Sequence, residues 1–446
     1  MHDHPSSAAD GTGAQGRTAT PSAPPNATPP PPSGPGAAAS RYGWVVVGAG
    51  FLVMFACLGL ARFAFGVLLP PTAAALDLSY AQRGYLGTGY FAGYLAMVAL
   101  APALTRRVGN RNAVALGLAL IGATLCAVGA TDSFGAALAL YSLTGVGSGA
   151  ANIAMMALIA GWFPPSLRGT ATGAVIAGNG MGIIYSGYMV PEVVRAAGAD
   201  GWRAGWVLLG ALCAAVCVVA WVLLRDAPGS RPDRAQAAGT PRPPGLLGRF
   251  PAFSADERGR LAHLGCIYLL FGLTYMVYGS FIVTTLVDEY GLGQDAAGRF
   301  WAWVGFFSLL SGPLFGRLSD ATSRRAGLMA TFAVQTVAYA LAGLAQGETA
   351  VWISVALYGL SAWAIPTIMT ATVADLLGPA RTAAGFSCIT FFFAVGQVAG
   401  PTAAGWVAEL TGSFAPAYLA SACCTVLAVL LSRTLRRVRG ADRATA

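Results

Sequence analysis

Arg62 is the residue in this chain with the most chemistry to offer. It is a cation inside a long apolar run, GLARFAFGVLLP. If that run crosses a bilayer, the charge costs at least about 2.5–3.5 kcal/mol on insertion scales. Arg62 lies 19 residues past Gly43, about 28 Å along a straight helix at 1.5 Å per residue. That is the outer third of the run. Three readings follow: the side chain snorkels to headgroups, it belongs to a structural ion pair, or it faces a central cavity and binds an anion. The third suits guanidinium, whose planar fork meets a carboxylate with two hydrogen bonds. No acid lies in the interior of the apolar runs, away from their ends, to neutralise it, so a carboxylate on a substrate would supply the missing charge. Three amides, Asn152, Asn179 and Gln397, sit in similar runs. Amides in lipid need partners, so these face inward, toward a solute or toward neighbouring helices.

Other chemistry is poorly represented. There are three histidines, and no HExxH, GxSxG or pair of interior carboxylates. An enzyme reading therefore has no residues to rest on. Neither a metal nor a cofactor is expected. The eight cysteines all fall in apolar runs without zinc-ligand spacing and read as small packing residues. The glycine clusters Gly145–Gly149 and Gly178–Gly182 lie in apolar runs with no preceding strand. Close helix packing explains them better than nucleotide binding.

The elements that must position Arg62 follow from composition. The 446 residues are 56% hydrophobic and 10% charged, against about 25% charged in soluble domains. Such a chain needs lipid around it. Apolar segments fall at about 43–69, 84–104, 113–130, 134–163, 169–190 and 204–224, then 264–287, 300–318, 326–345, 351–377, 385–408 and 414–435. Each approaches the roughly 20 residues that cross a hydrocarbon core. Each must be helical to satisfy its own backbone. The expected fold is an all-α membrane protein of twelve transmembrane helices. Residues 1–41 are a Pro/Ala/Ser/Gly tail expected to be disordered. Two six-helix units span 42–224 and 262–435, joined by a polar linker at 225–261 and followed by a tail at 436–446.

The net charge is +9 and every basic residue except the histidines is arginine. With the N-terminus inside, 22 arginines are cytoplasmic and four (Arg83, Arg195, Arg203 and Arg299) are outside. The positive-inside rule then places both termini in the cytoplasm of a cell inner membrane. Arginines confined to loops between apolar helices argue against nucleic-acid binding.

An internal repeat divides the chain. PALTRRVGNR (Pro102–Arg111) matches GRLSDATSRR (Gly316–Arg325) at an offset of 214. PSLRGTATG (Pro165–Gly173) matches GPARTAAG (Gly378–Gly385), with Pro165 on Pro379 and Arg168 on Arg381. One six-helix unit thus occurs twice, in parallel orientation.

Those loops resemble the major facilitator superfamily. Its signature G-x-x-x-D-[RK]-x-G-[RK]-[RK] is matched by Gly316, Asp320, Arg324 and Arg325, with Ser323 in place of the second glycine. The first half departs from it. Pro102 and Arg106 replace the glycine and the aspartate, while Arg107, Gly109 and Arg111 remain. GWR at Gly201–Arg203 and GQVAGPTAAGW in the eleventh segment also resemble the family. A narrower resemblance, to the YbfB/YjiJ-like branch, rests on Arg62–Phe63, on Tyr90, Gly93 and Tyr94, and on FGLTY.

The resemblance implies two pseudo-symmetric six-helix bundles around a cavity, carrying a small solute by alternating access. The helices that line such a cavity offer Arg62, Tyr90, Tyr94, Asn152, Asn179, Tyr185, Tyr275, Tyr278, Trp363, Thr367 and Gln397. Hydrogen bonding between helices without solute contact is the competing reading for each. Trp44, Trp162 and Trp206 read as membrane-interface anchors. Gating would fall to Gly316, Asp320, Arg324, Arg325, Asp375, Arg168 and Arg381. Asp320 would meet the start of the fifth helix near Arg168, and Asp375 would bridge Arg324 or Arg381. The fourth helix has Tyr141 where proton-coupled drug exporters carry arginine, which argues against multidrug–proton antiport. A co-transported proton would have only Asp288, Glu289 or His263 to use. The leading expectation is a monomer moving a small organic anion such as a carboxylate. Efflux of aromatic or amphipathic compounds, or a solute sensor of the same fold, stay open.

Overall fold

The structure is a computed structural model that describes residues 37–226, 253–344, 347–378 and 381–435. Most of the expected tails and of the 225–261 linker lies outside these residues, as does Pro379. In the first half, α1 runs from Ala37 to Ala75 in three pieces, Ala37–Met54, Phe55–Phe63 and Phe65–Ala75. It is followed by α2 (Tyr80–Val108), α3 (Asn110–Gly129), α4 (Phe134–Trp162), α5 (Pro165–Ala196) and α6 (Gly201–Leu223). The second half has α7 (Ala255–Thr284, continued to Glu289), α8 (Gln294–Ala321), α9 (Arg324–Leu344), α10 (Glu348–Ser361 and Ala364–Leu377), α11 (Thr382–Thr411) and α12 (Ala415–Arg433).

Ten of the twelve are long and apolar enough to cross a membrane; α5 and α8 are long enough but more polar. Packing explains their polarity. They face each other across the two halves, and a Cβ on Gly187 of α5 would sit 2.5 Å from the Gly298 oxygen of α8. Their small residues serve this contact instead of lipid. The halves also meet along α2 with α11 and α1 with α7.

Two elements depart from the hydropathy reading. The seventh helix starts at Ala255, nine residues before the apolar run. A capping box starts it: Ser254 Oγ accepts from Glu257 N (3.2 Å), and Glu257 Oε2 accepts from Ser254 N (2.8 Å). Its first two turns are polar, so an apolar window misses them. The tenth helix breaks at Ala362 and Trp363. Pro366 has no N–H for the Ala362 carbonyl and its ring crowds that position. Ser311 of α8 caps the restart by accepting from Trp363 N at 3.0 Å.

The glycine clusters prove to be contact points within helices. A side chain on Gly145 would collide with the Tyr90 carbonyl of α2, and Gly182 lies against Gly59 of α1. Trp206 is not an interface anchor. It is 2% exposed and donates to Thr72 at 2.9 Å.

Candidate functional site

The site begins with a widened turn. Over Phe55–Phe63 the first helix is a π-helix, with hydrogen bonds reaching five residues back, as from Ala64 N to Gly59 O (3.2 Å). Such winding is frequent at functional sites. Side chains of α2 and α4 bond to its carbonyls. Cys57 O accepts from Ser148 Oγ (2.8 Å) and from Tyr90 Oη (3.5 Å), and Ala61 O accepts from Tyr141 Oη (3.0 Å). Tyr141 also stacks on Phe65 at 4.9 Å. The segment that ends in Arg62 is therefore held from outside.

Arg62 is 8% exposed. Its Nη2 donates to the hydroxyl of Tyr275 on α7. Aromatic rings cover it, with centroids of Phe91, Phe63, Tyr275 and Tyr94 at 4.7, 5.3, 5.5 and 5.9 Å from Cζ. Each such contact is worth about 0.5–2 kcal/mol. Snorkelling is thereby set aside. No carboxylate among the described residues pairs with Arg62, and its buried Nε has no partner. Gln397 of α11 is 4% exposed, lies beside the Tyr275 hydroxyl, and has an unpartnered Nε2. Arg62 and Tyr275 are 213 residues apart, the same separation as Arg168 and Arg381. Arg62 and Tyr275 sit on α1 and α7, the first helix of each half, and join the halves there.

The other candidates divide. Tyr94 accepts from Asn152 Nδ2 at 2.6 Å, and both are half-buried near Arg62. Trp363, at the break in α10, contacts Phe63 (5.3 Å) and Tyr275 (6.0 Å). Asn179 is buried with its Oδ1 unpartnered, and Tyr185 meets Phe55 at 5.5 Å. Thr367 is exposed and bonds back to Trp363 O. Tyr90 is 1% exposed and supports the α1 backbone. Tyr278 turns into the interior of the second half, where it bonds Ser354 (2.9 Å) and stacks on Tyr358 (4.1 Å). Phe91 and Ser148 were not anticipated from the sequence, and Phe63 and Tyr141 were noted there without a place in the site. The seven-residue spacing of Tyr141 and Ser148 on one face of α4 was the available signal.

The charged residues of the arginine-rich end pair within their own half. Arg324 bridges Asp320 and, at 2.8 Å, Asp375. Arg381 pairs with Glu257 at 2.7 Å. Arg168 donates to Phe163 O at 3.2 Å, so neither Asp320–Arg168 nor Asp375–Arg381 is formed here. Gly316 and Arg325 lie half-buried on α8 and at the start of α9. Contacts across the halves gather at the opposite end: Arg83–Asp288 (2.6 Å), Arg195–Asp295 (3.7 Å), Ala81 N to Glu409 (3.0 Å) and Gln294 to Val67 O (2.6 Å). Among the described residues, hydrogen bonds between the halves stop at the level of Arg62. The proton candidates have structural partners. Asp288 holds Arg83, Glu289 accepts from Ser413 and Phe414 N, and His263 meets Leu431 O.

Comparison with known proteins agrees with this architecture. The family described as "Uncharacterised MFS-type transporter YbfB" matches residues 54–433. The chain is 22% identical over 385 residues to the hexuronate transporter of Bacillus subtilis (strain 168), covering 83% of this chain and 89% of that one. It is 22% identical over 431 residues to monocarboxylate transporter 2 of Homo sapiens, covering 92% and 86%. Among solved structures, the nucleoside transporter NupG aligns with a TM-score of 0.68 at 14% identity, over 88% of this chain and 98% of that one. A bacterial homologue of the lysosomal transporter Spinster, inward-facing and unoccupied, aligns at 0.69 and 18% identity, over 90% and 98%. With its two six-helix halves, its repeated loop signature and a family match over most of its length, this multi-pass membrane protein belongs to the YbfB family of major facilitator superfamily transporters.

Proposed function

We propose that the protein carries a small organic anion by alternating access, with the solute carboxylate docking on Arg62. The observation that carries this reading is a buried cation without a protein carboxylate. Its Nε and the nearby Gln397 Nε2 are both donors in need of an acceptor. An isolated buried charge is costly, and an incoming carboxylate relieves that cost. Arg62 sits where α1 meets α7, between the two halves, which is where a carried solute would bind. The names of two relatives, a hexuronate and a monocarboxylate transporter, both describe carboxylates.

On this reading the arginine-rich end faces the cytoplasm of an inner membrane, with both termini there. The described conformation is then open inward and latched outside by Arg83–Asp288 and Arg195–Asp295. Closing the inner end would bring the Asp320, Arg324 and Asp375 cluster of the second half against Arg168 of the first. Gly316, Arg325 and Arg381 flank that contact. Asn152, Asn179, Tyr94, Tyr185, Tyr275, Trp363, Thr367 and Gln397 line the path.

The test is counterflow of labelled carboxylates into proteoliposomes. Arg62→Ala should lower uptake at least tenfold, and Arg62→Lys should recover only part, since a point charge lacks the fork. Undiminished carboxylate uptake by Arg62→Ala would overturn the proposal.

A further inference from the structure

We infer that the carried anion has one negative charge on an otherwise apolar, ring-bearing body, the chemistry of an arylcarboxylate. This rests on the Arg62 reading and narrows it.

The charge follows from how many cations the interior holds. Among the described residues, Arg62 is the single basic side chain away from the helix ends. A dianion would bring a second charge into a low-dielectric site with nothing to pair it. The Arg62 fork is itself partly committed. Nη2 is taken by Tyr275, and rings of Phe63, Phe91, Tyr94 and Tyr275 lie within 5.9 Å of Cζ. What remains without a partner is the Nε edge of the fork.

The body follows from the walls. Trp363 packs edge-on to Phe63 and Tyr275, and Phe393 stacks beside Tyr275 at 6.0 Å. Trp363, Phe393 and Tyr94 are only half-buried, so their rings form surface that a solute can touch. Polar groups at this level are few. The Asn152 amide spends one N–H on Tyr94, and the Gln397 amide sits by the Tyr275 hydroxyl. A polyhydroxylated body would bury hydroxyls without partners, and such sites discriminate strongly against unpaired polar groups. A flat ring instead finds edge and face contacts.

The experiment measures proteoliposome uptake of labelled benzoate, lactate, gluconate and succinate, and of neutral benzyl alcohol, by wild type, Arg62→Ala and Trp363→Leu. Wild type should take up benzoate at least tenfold faster than gluconate or succinate, and should not take up benzyl alcohol. Trp363→Leu should raise the benzoate KM about tenfold and cut the preference for benzoate over lactate at least fivefold. A melting curve in detergent confirms that each variant is folded. Benzoate should also raise the melting temperature of wild type, and not of Arg62→Ala. If gluconate or succinate matches benzoate and still depends on Arg62, the inference is overturned while the anion site stands. If carboxylates move without Arg62, or none moves, the underlying reading is overturned with it.

Discussion

Arg62 owes its position to side chains that never touch the guanidinium. Ser148 and Tyr141 donate to buried carbonyls of the first helix at Cys57 and Ala61, and such a hydrogen bond is worth about 0.5–1.5 kcal/mol. Ser148→Ala should therefore lower the unfolding free energy by about 1 kcal/mol. Tyr141→Phe should do the same, because it keeps the ring and loses only the donor. Thermal unfolding in detergent measures both. If the segment positions Arg62, both variants should also weaken carboxylate binding, which a purely structural role would leave alone. Arg62 itself was legible in the sequence, since a charge in an apolar run needs no structure to be noticed. The tyrosines were not. Tyr90 and Tyr94 are one turn apart, as nearly are Tyr275 and Tyr278, and spacing cannot say which member of a pair faces the seam. The structure turns Tyr94 and Tyr275 toward Arg62, and Tyr90 and Tyr278 into their own halves.

Among the helices, α4 offers an internal comparison. A Cβ on Gly145 would strike the Tyr90 carbonyl, whereas one on Gly135 would meet nothing within 4 Å. Gly145→Ala should then cost about 1–3 kcal/mol, the usual range for overpacking. Gly135→Ala should be neutral or stabilise by up to about 1 kcal/mol through lost chain entropy. Equal effects on the melting temperature would contradict the packing described here. Apolar length alone revealed most of the helices. It failed where other forces set the ends, at the Ser254 capping box and at the Pro366 break in α10. The polar character of α5 and α8 comes from their contact with each other, which no single segment can reveal.

At the scale of the molecule, two halves were legible because the loop motifs recur at one offset. Which end opens was not, since on the alternating-access reading one sequence supports both states. The latch at the arginine-poor end gives the test. Breaking it with Arg83→Ala and Asp288→Asn should shift the balance toward the opposite opening. A cysteine placed at Thr367, exposed in the present state, should then react more slowly with a membrane-impermeant maleimide from the arginine-rich side, in a background without other cysteines. An unchanged rate would mean that Arg83–Asp288 is an ornament of the surface. Exposed ion pairs are commonly worth under about 1 kcal/mol, so the double variant is the stronger probe.

The nine residues Phe55–Phe63 are wound more loosely than an α-helix and so take up extra chain. The excess acts like a fold in a carpet. Shifting the fold along the rod rotates only the residues it passes and leaves both ends fixed. Arg62 stands at the trailing edge of that fold. On the carrier reading, moving that fold would swing the Arg62 cation away from Tyr275, so release of the solute would need rotation of a few residues and no sliding of the helix.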